Sequence, residues 1–182
     1  MKNLITQVYI KLKRAYRATL NTAKFQEILW EDLKKSFKDT KYRYGVYEEE
    51  KCVEAVFDLG KNHMASYNYN LYDGYYCCRV KILESFPPEL ATDIFVLASH
   101  FNNILGYGIV RVNTNEGYVE YLLRNEYVTN VIFPVEMQEL LLRHYRVSLD
   151  LYGAFQKLVT DCEEPAFIIA DFLVEYERRR GQ

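Results

Sequence analysis

The dipeptide Asp73-Gly74 sits at the centre of ASYNYNLYDGYYCCRVKI, residues 65–82. Asp-Gly between two strand-like arms is a strong hairpin signal, because a two-residue turn needs a positive φ that Gly adopts freely. A two-residue turn also fixes the register. Tyr72 then faces Tyr75, Leu71 faces Tyr76, Tyr69 faces Cys78, Tyr67 faces Val80 and Ala65 faces Ile82. Alternate pairs share a face. One face collects Tyr67, Tyr69, Leu71, Tyr76, Cys78, Val80 and Ile82. The other collects Ser66, Asn68, Asn70, Cys77, Arg79 and Lys81. A sheet built on this hairpin is apolar on one side and wet on the other, so helices need cover only the apolar side.

The rest of the chain supplies further strands and those helices. Residues 3–20 carry Leu4, Val8, Leu12, Tyr16 and Leu20 at helical spacing, with Lys11, Lys13, Arg14 and Arg17 on the opposite side. Residues 22–38 repeat the pattern with Phe25, Ile28, Leu29, Leu33 and Phe37, and the stripe shifts near Asn21-Thr22, a suitable break and N-cap. One continuous bent helix over 3–38 is the alternative. Residues 42–48 read as a weak strand. Residues 52–59 alternate, with Val53, Ala55, Phe57 and Leu59 on one face, and Gly60-Lys61-Asn62 turns the chain.

After the hairpin, Pro87-Pro88 opens a helix with Leu90, Ile94, Leu97, Ala98, Phe101 and Leu105 buried and Gly106 as its C-cap. A second hairpin turns at Asn115-Glu116-Gly117, with Arg111 and Glu120 paired on its polar face. Pro134 opens the longest helix, striped by Leu140, Leu141, His144, Val147, Leu151, Phe155 and Leu158. A last helix starts near Pro165 and ends in Arg178-Arg179-Arg180; its apolar set is wider than one stripe. The order α-α-β-β-β-β-α-β-β-α-α gives an α+β fold: one antiparallel sheet with helices packed on one face, and extra N- and C-terminal helices. The expected organisation is a basic amphipathic helix over 1–21, an α+β sandwich over 22–160, and a C-terminal helix over 161–182 packed on the same domain.

Composition excludes several classes. Hydrophobic residues make up 49% and charged residues 26%, which argues against disorder. The formal net charge of -2 argues against bulk attraction to nucleic acid. No apolar run is long enough to cross a membrane, and MKNLITQVYIKLKRAYR lacks the apolar core of a secretory signal. The four cysteines carry no CxxC spacing, so reduced thiols in a cytoplasmic protein are expected.

Residues 22–159 resemble the YbjN-like family of bacterial sensory transduction regulators. The resemblance is carried by a strand ending in CRVKILESFPPE, a helix reading VLASHFNNILGYG, a strand pair with Asn-Glu-Gly at its turn, and a long closing helix. That family is similar in fold to the type III secretion chaperones: small α+β sandwiches, usually dimers, that bind protein segments without catalysis. The resemblance implies a non-enzymatic regulatory or chaperone-like role in a bacterial cytoplasm, an unidentified protein partner and a homodimer. It brings no catalytic residue, cofactor or metal.

The residues themselves point the same way. His63, His100 and His144 are scattered, with neither HxxxH nor HExxH spacing, and His144 on an apolar stripe reads as core. No GxSxG elbow, P-loop or GxGxxG occurs. Cys77, on the polar face, is the candidate accessible thiol, with an inert role preferred. Two groups remain as partner-binding candidates. Tyr72 and Tyr75 flank the hairpin turn, where they either stack a ligand or simply pair across the strands. Lys11, Lys13, Arg14 and Arg17 belong to a segment, residues 1–25, with six Lys or Arg and no acid. That segment is an anion-surface binder (membrane lipid or nucleic acid), a dimer arm, or an amphipathic helix packed on the body with its charges in water.

Overall fold

The computed structural model of the protein describes residues 2–38, 42–60, 63–126 and 134–180. Five helices and six strands follow in the expected order. They are α1 (Lys2–Ala18), α2 (Thr22–Lys38), β1 (Tyr44–Tyr47), β2 (Cys52–Asp58), β3 (Met64–Leu71), β4 (Tyr75–Leu83), a 3-10 turn (Pro88–Leu90) leading into α3 (Ala91–Ile104), β5 (Ile109–Asn113), β6 (Tyr118–Glu126), α4 (Pro134–Thr160) and α5 (Pro165–Arg180). The strands make one antiparallel sheet in the order β1-β2-β3-β4-β6-β5, so the fold is α+β as expected. Its chain forms two compact units, both of which use parts of the sheet: Met1–Ala55 with Asn68–Cys77 and Arg124–Leu142, and Val56–Tyr67 with Cys78–Leu123 and Arg143–Gln182.

Residues 2–38 are two helices. The Asn21 side-chain oxygen accepts the Lys24 backbone N–H at 2.9 Å, which caps α2 and ends any continuity with α1. In the first unit α2 buries Phe25, Leu29, Leu33 and Phe37, the expected stripe apart from half-buried Ile28. Phe37 meets the Tyr69 ring at 5.2 Å, so the helix lies on the apolar face of β3. Each such side chain contributes about 1.5–3 kcal/mol by leaving water. The same buried face of α2 also takes in Trp30, Asp32 and Ser36.

The hairpin register is visible in its turn. Tyr72 N–H donates to the Tyr75 carbonyl at 2.9 Å, and Gly74 has φ +83°. Every residue assigned to the apolar face is 3% exposed or less, which establishes the two-faced sheet. The polar face departs from expectation near the turn. Asn70 and Cys77 are buried there, although Ser66, Asn68, Arg79 and Lys81 keep contact with solvent. Their next same-face neighbours are Tyr72 and Tyr75, whose large stacked rings stand beside these short side chains.

In the second unit α4 covers the apolar face through His144, packed edge-on to Tyr67 at 5.5 Å and stacked on Tyr121 at 4.9 Å. Arg111 and Glu120 are cross-strand partners and close to 3.1 Å, as the sequence suggests. Asn113 accepts the N–H groups of Asn115 and Glu116 at 3.1 Å and so holds the second turn, with Gly117 at φ +68°. Gly106 is not the left-handed cap expected of it: α3 ends in an extended Leu105, whose N–H reaches the Phe101 carbonyl. The left-handed residue is Gly108 (φ +75°), where a Cβ would lie 2.5 Å from the Tyr121 ring. The Tyr121 hydroxyl donates to the Tyr107 carbonyl at 2.9 Å, so that corner requires glycine. Lys61-Asn62 and the side chains of Leu4, Ile5, Arg179 and Arg180 lie outside the described residues.

Candidate functional site

The basic helix α1 is turned opposite to the simplest amphipathic reading. Val8 is 50% exposed, Leu12 66% and Tyr16 56%, so the apolar stripe stands in water. Arg17, assigned to the wet side, is buried and its guanidinium donates to the Asp32 carboxylate of α2 at 2.6 Å. The physical reason is the buried pair. Asp32 lies on the buried face of α2, and a buried carboxylate demands a cation. Of the four cations singled out, Lys11 and Arg14 are exposed and Lys13 is half-buried, with its ammonium 5.8 Å from the Tyr9 ring. Arg17 is committed to Asp32. The four residues therefore do not form one continuous basic face.

Tyr72 and Tyr75 are half-buried and stack on each other at 4.8 Å, with the Arg124 guanidinium 4.0 Å over the Tyr75 ring. Their faces are occupied by one another and by Arg124. This is the cross-strand stabilising pair, with little open ring surface to offer a ligand.

Buried aromatic and titratable groups cluster in the second unit. His144 is fully enclosed between Tyr67 and Tyr121. Burial pushes its pKa down to about 3. The imidazole is neutral at physiological pH. Burial also raises the phenols of Tyr67 and Tyr121. Tyr145 donates its hydroxyl to the Asp58 carbonyl at 2.9 Å. A sealed neutral histidine of this kind packs between rings; it has no access to a substrate. No group of three or more His, Cys, Asp or Glu that could hold a metal occurs among the described residues.

One groove escaped sequence reasoning. It runs beside α3, the end of α4 and the start of α5, lined by Leu90, Val96, Leu158, Pro165 and Ala166, with Asp93, Glu163 and Glu164 along it. On the same two helices Phe95 is 51% and Phe167 62% exposed, and farther along α5 Val174 is 70% exposed. The α5 side of this surface had a signal, because its apolar residues exceed one stripe: Ile168 turns inward while Phe167 and Val174 turn out. The α3 side had none, since Phe95 and Val96 simply continue a hydrophobic run. Cys162 also lines the groove and is exposed, whereas Cys52, Cys77 and Cys78 are buried. The accessible thiol is thus Cys162; Cys77, expected to be open on the polar face, is enclosed near the hairpin turn.

No protein-family model matches the chain, and no curated protein matches it either.

Proposed function

We propose that the protein is a non-enzymatic, cytoplasmic binding module, homodimeric and similar to the YbjN-like regulators, that holds a segment of a partner protein. The observation that supports this reading best is the groove of Leu90, Val96, Leu158, Pro165 and Ala166, with Phe95 and Phe167 exposed on the same two helices. Contiguous exposed apolar side chains with a polar rim are the usual mark of a protein-docking surface. Asp93, Glu163 and Glu164 add negative charge, so the best-matched guest is an amphipathic segment with basic flanks. A second route, strand addition at β1, is less well supported, because that strand is only four residues long.

Cys162 makes the test direct, as the other thiols are enclosed. The immobilised chain should retain a partner from lysate, and the partner should slow alkylation of Cys162. Val96→Asp and Phe167→Asp should abolish both effects. Retention of no partner above control, or retention that neither substitution alters, would remove the proposal.

A further inference from the structure

The exposed apolar stripe of α1 is the feature that the groove and the buried cluster leave unexplained. At about 100° per residue, the stripe of Val8, Leu12 and Tyr16 is centred roughly 140° round the helix from Arg17. Arg17 faces α2, held by Asp32. The helix is therefore fastened to its unit by a buried ion pair on its polar side and presents its apolar side outward. On the same geometry Lys11 flanks one edge of the stripe and Lys13 the other, with Tyr9 and Tyr16 toward the Lys13 edge. Tyr9 is 62% exposed. Residues 1–25 contain six Lys or Arg and no acid.

We infer that α1 docks the protein onto the surface of an anionic phospholipid bilayer, lying in the plane of the interface with Val8, Leu12 and Tyr16 in the headgroup–acyl boundary. Charge and polarity together select this occupant. Lipid receives an apolar stripe and anionic headgroups receive the flanking lysines, whose stems reach along the stripe while their ammonium groups stay wet. Tyrosine suits the boundary, with an apolar ring and a polar hydroxyl. A helix of 17 residues is about 25 Å long, enough to lie along a bilayer, while no described helix is long and apolar enough to cross one. A second copy of the same stripe is a poorer match. A two-fold axis would bring Lys11 and Lys13 of both chains to one seam, with no carboxylate in residues 1–25 to answer them. Nucleic acid is poorer still, because phosphates would engage the flanks and leave Val8 and Leu12 in water, with Arg17 already taken by Asp32.

The test is flotation of the full chain with vesicles of equal parts phosphatidylcholine and phosphatidylglycerol, beside vesicles of phosphatidylcholine alone. The wild type should float with the anionic vesicles and bind the neutral ones about tenfold or more weakly. Leu12→Glu and Val8→Glu should each weaken anionic binding by about tenfold or more, and Lys11→Glu with Lys13→Glu should do the same. Both apolar positions are at least half exposed, so the fold should persist, as circular dichroism and the emission of the buried Trp30 would report. Four results overturn the inference. The wild type ignores anionic vesicles; Leu12→Glu binds them as well as the wild type; sedimentation shows a dimer that Leu12→Glu dissolves while vesicles are ignored; or duplex DNA is bound more tightly than vesicles and Leu12→Glu leaves that binding unchanged.

Discussion

His144 offers the sharpest quantitative test of the core. In the folded chain its imidazole is held at about 3, against an ordinary value of 6.5. Between those values the unfolded chain binds a proton that the folded chain refuses. The direction follows from linkage: the lowered histidine supports the fold fully above the ordinary value, and that support is lost as pH falls through 6.5 toward 3. The slope is about 1.4 kcal/mol per pH unit once the unfolded imidazole is protonated. Integrated from pH 7 to pH 5, the loss is about 2 kcal/mol for this one residue. Against a typical total of about 5–15 kcal/mol, that is readily measured.

Replacement by phenylalanine isolates the effect. His144→Phe keeps a ring between Tyr67 and Tyr121 and removes the titrating imidazole. All other titrating groups are common to both proteins and cancel in the difference. Urea unfolding at pH 7, 6 and 5, followed by circular dichroism and by Trp30 emission, supplies the free energies where the two probes coincide. The stability of the wild type relative to His144→Phe should fall by about 2 kcal/mol from pH 7 to pH 5. A difference that stays constant within about 0.5 kcal/mol over that range would show an imidazole that titrates normally in the fold, and would refute the enclosed neutral histidine.

Three further outcomes follow from particular contacts. Asp32→Ala leaves the Arg17 guanidinium buried without its carboxylate and should cost about 3–5 kcal/mol in urea unfolding, while Arg17→Met with Asp32→Leu should recover most of it. Gly108→Ala places a Cβ 2.5 Å from the Tyr121 ring at φ +75° and should destabilise by about 2 kcal/mol or more, read as a lowered melting temperature. Tyr72→Ala removes one ring of a half-buried cross-strand stack and should cost about 0.5–1 kcal/mol without altering partner or vesicle binding; a change in either binding would make the tyrosine pair contact residues.

The sheet was legible because period-two alternation and a two-residue turn leave few choices. Once Asp73-Gly74 sets the register, Tyr67, Tyr69 and Val80 must share a face with Tyr76 and Ile82, and a one-residue slip would place all of them in water. The break at Asn21 was legible for a similarly local reason, since an N-cap is chemistry between residues three apart. Gly106 and Gly108 mark where local reasoning stops. Both suit a left-handed residue, and what chooses Gly108 is the Tyr121 ring on a strand that comes later in the chain. Cys77 failed for the same reason. Its side of the strand followed from alternation, but alternation does not say whether that side is covered, and at Cys77 it is.

The orientation of α1 was illegible for a deeper reason. Amphipathicity specifies that two faces differ; it does not say which one meets the protein. The usual assumption sends the apolar side inward because water is the only alternative medium considered. Here a single buried carboxylate, Asp32, outweighs that assumption by fixing Arg17, and the stripe of Val8, Leu12 and Tyr16 is left outside. Leaving three large apolar side chains in water forgoes several kcal/mol of transfer free energy, at about 1.5–3 kcal/mol for each one fully buried. An ion pair that costs desolvation and an apolar stripe that gains nothing from the fold are hard to explain as stability devices. They are consistent with each other once a second apolar medium exists for the stripe, and that is the argument for testing α1 against lipid rather than trimming it as a disposable terminus.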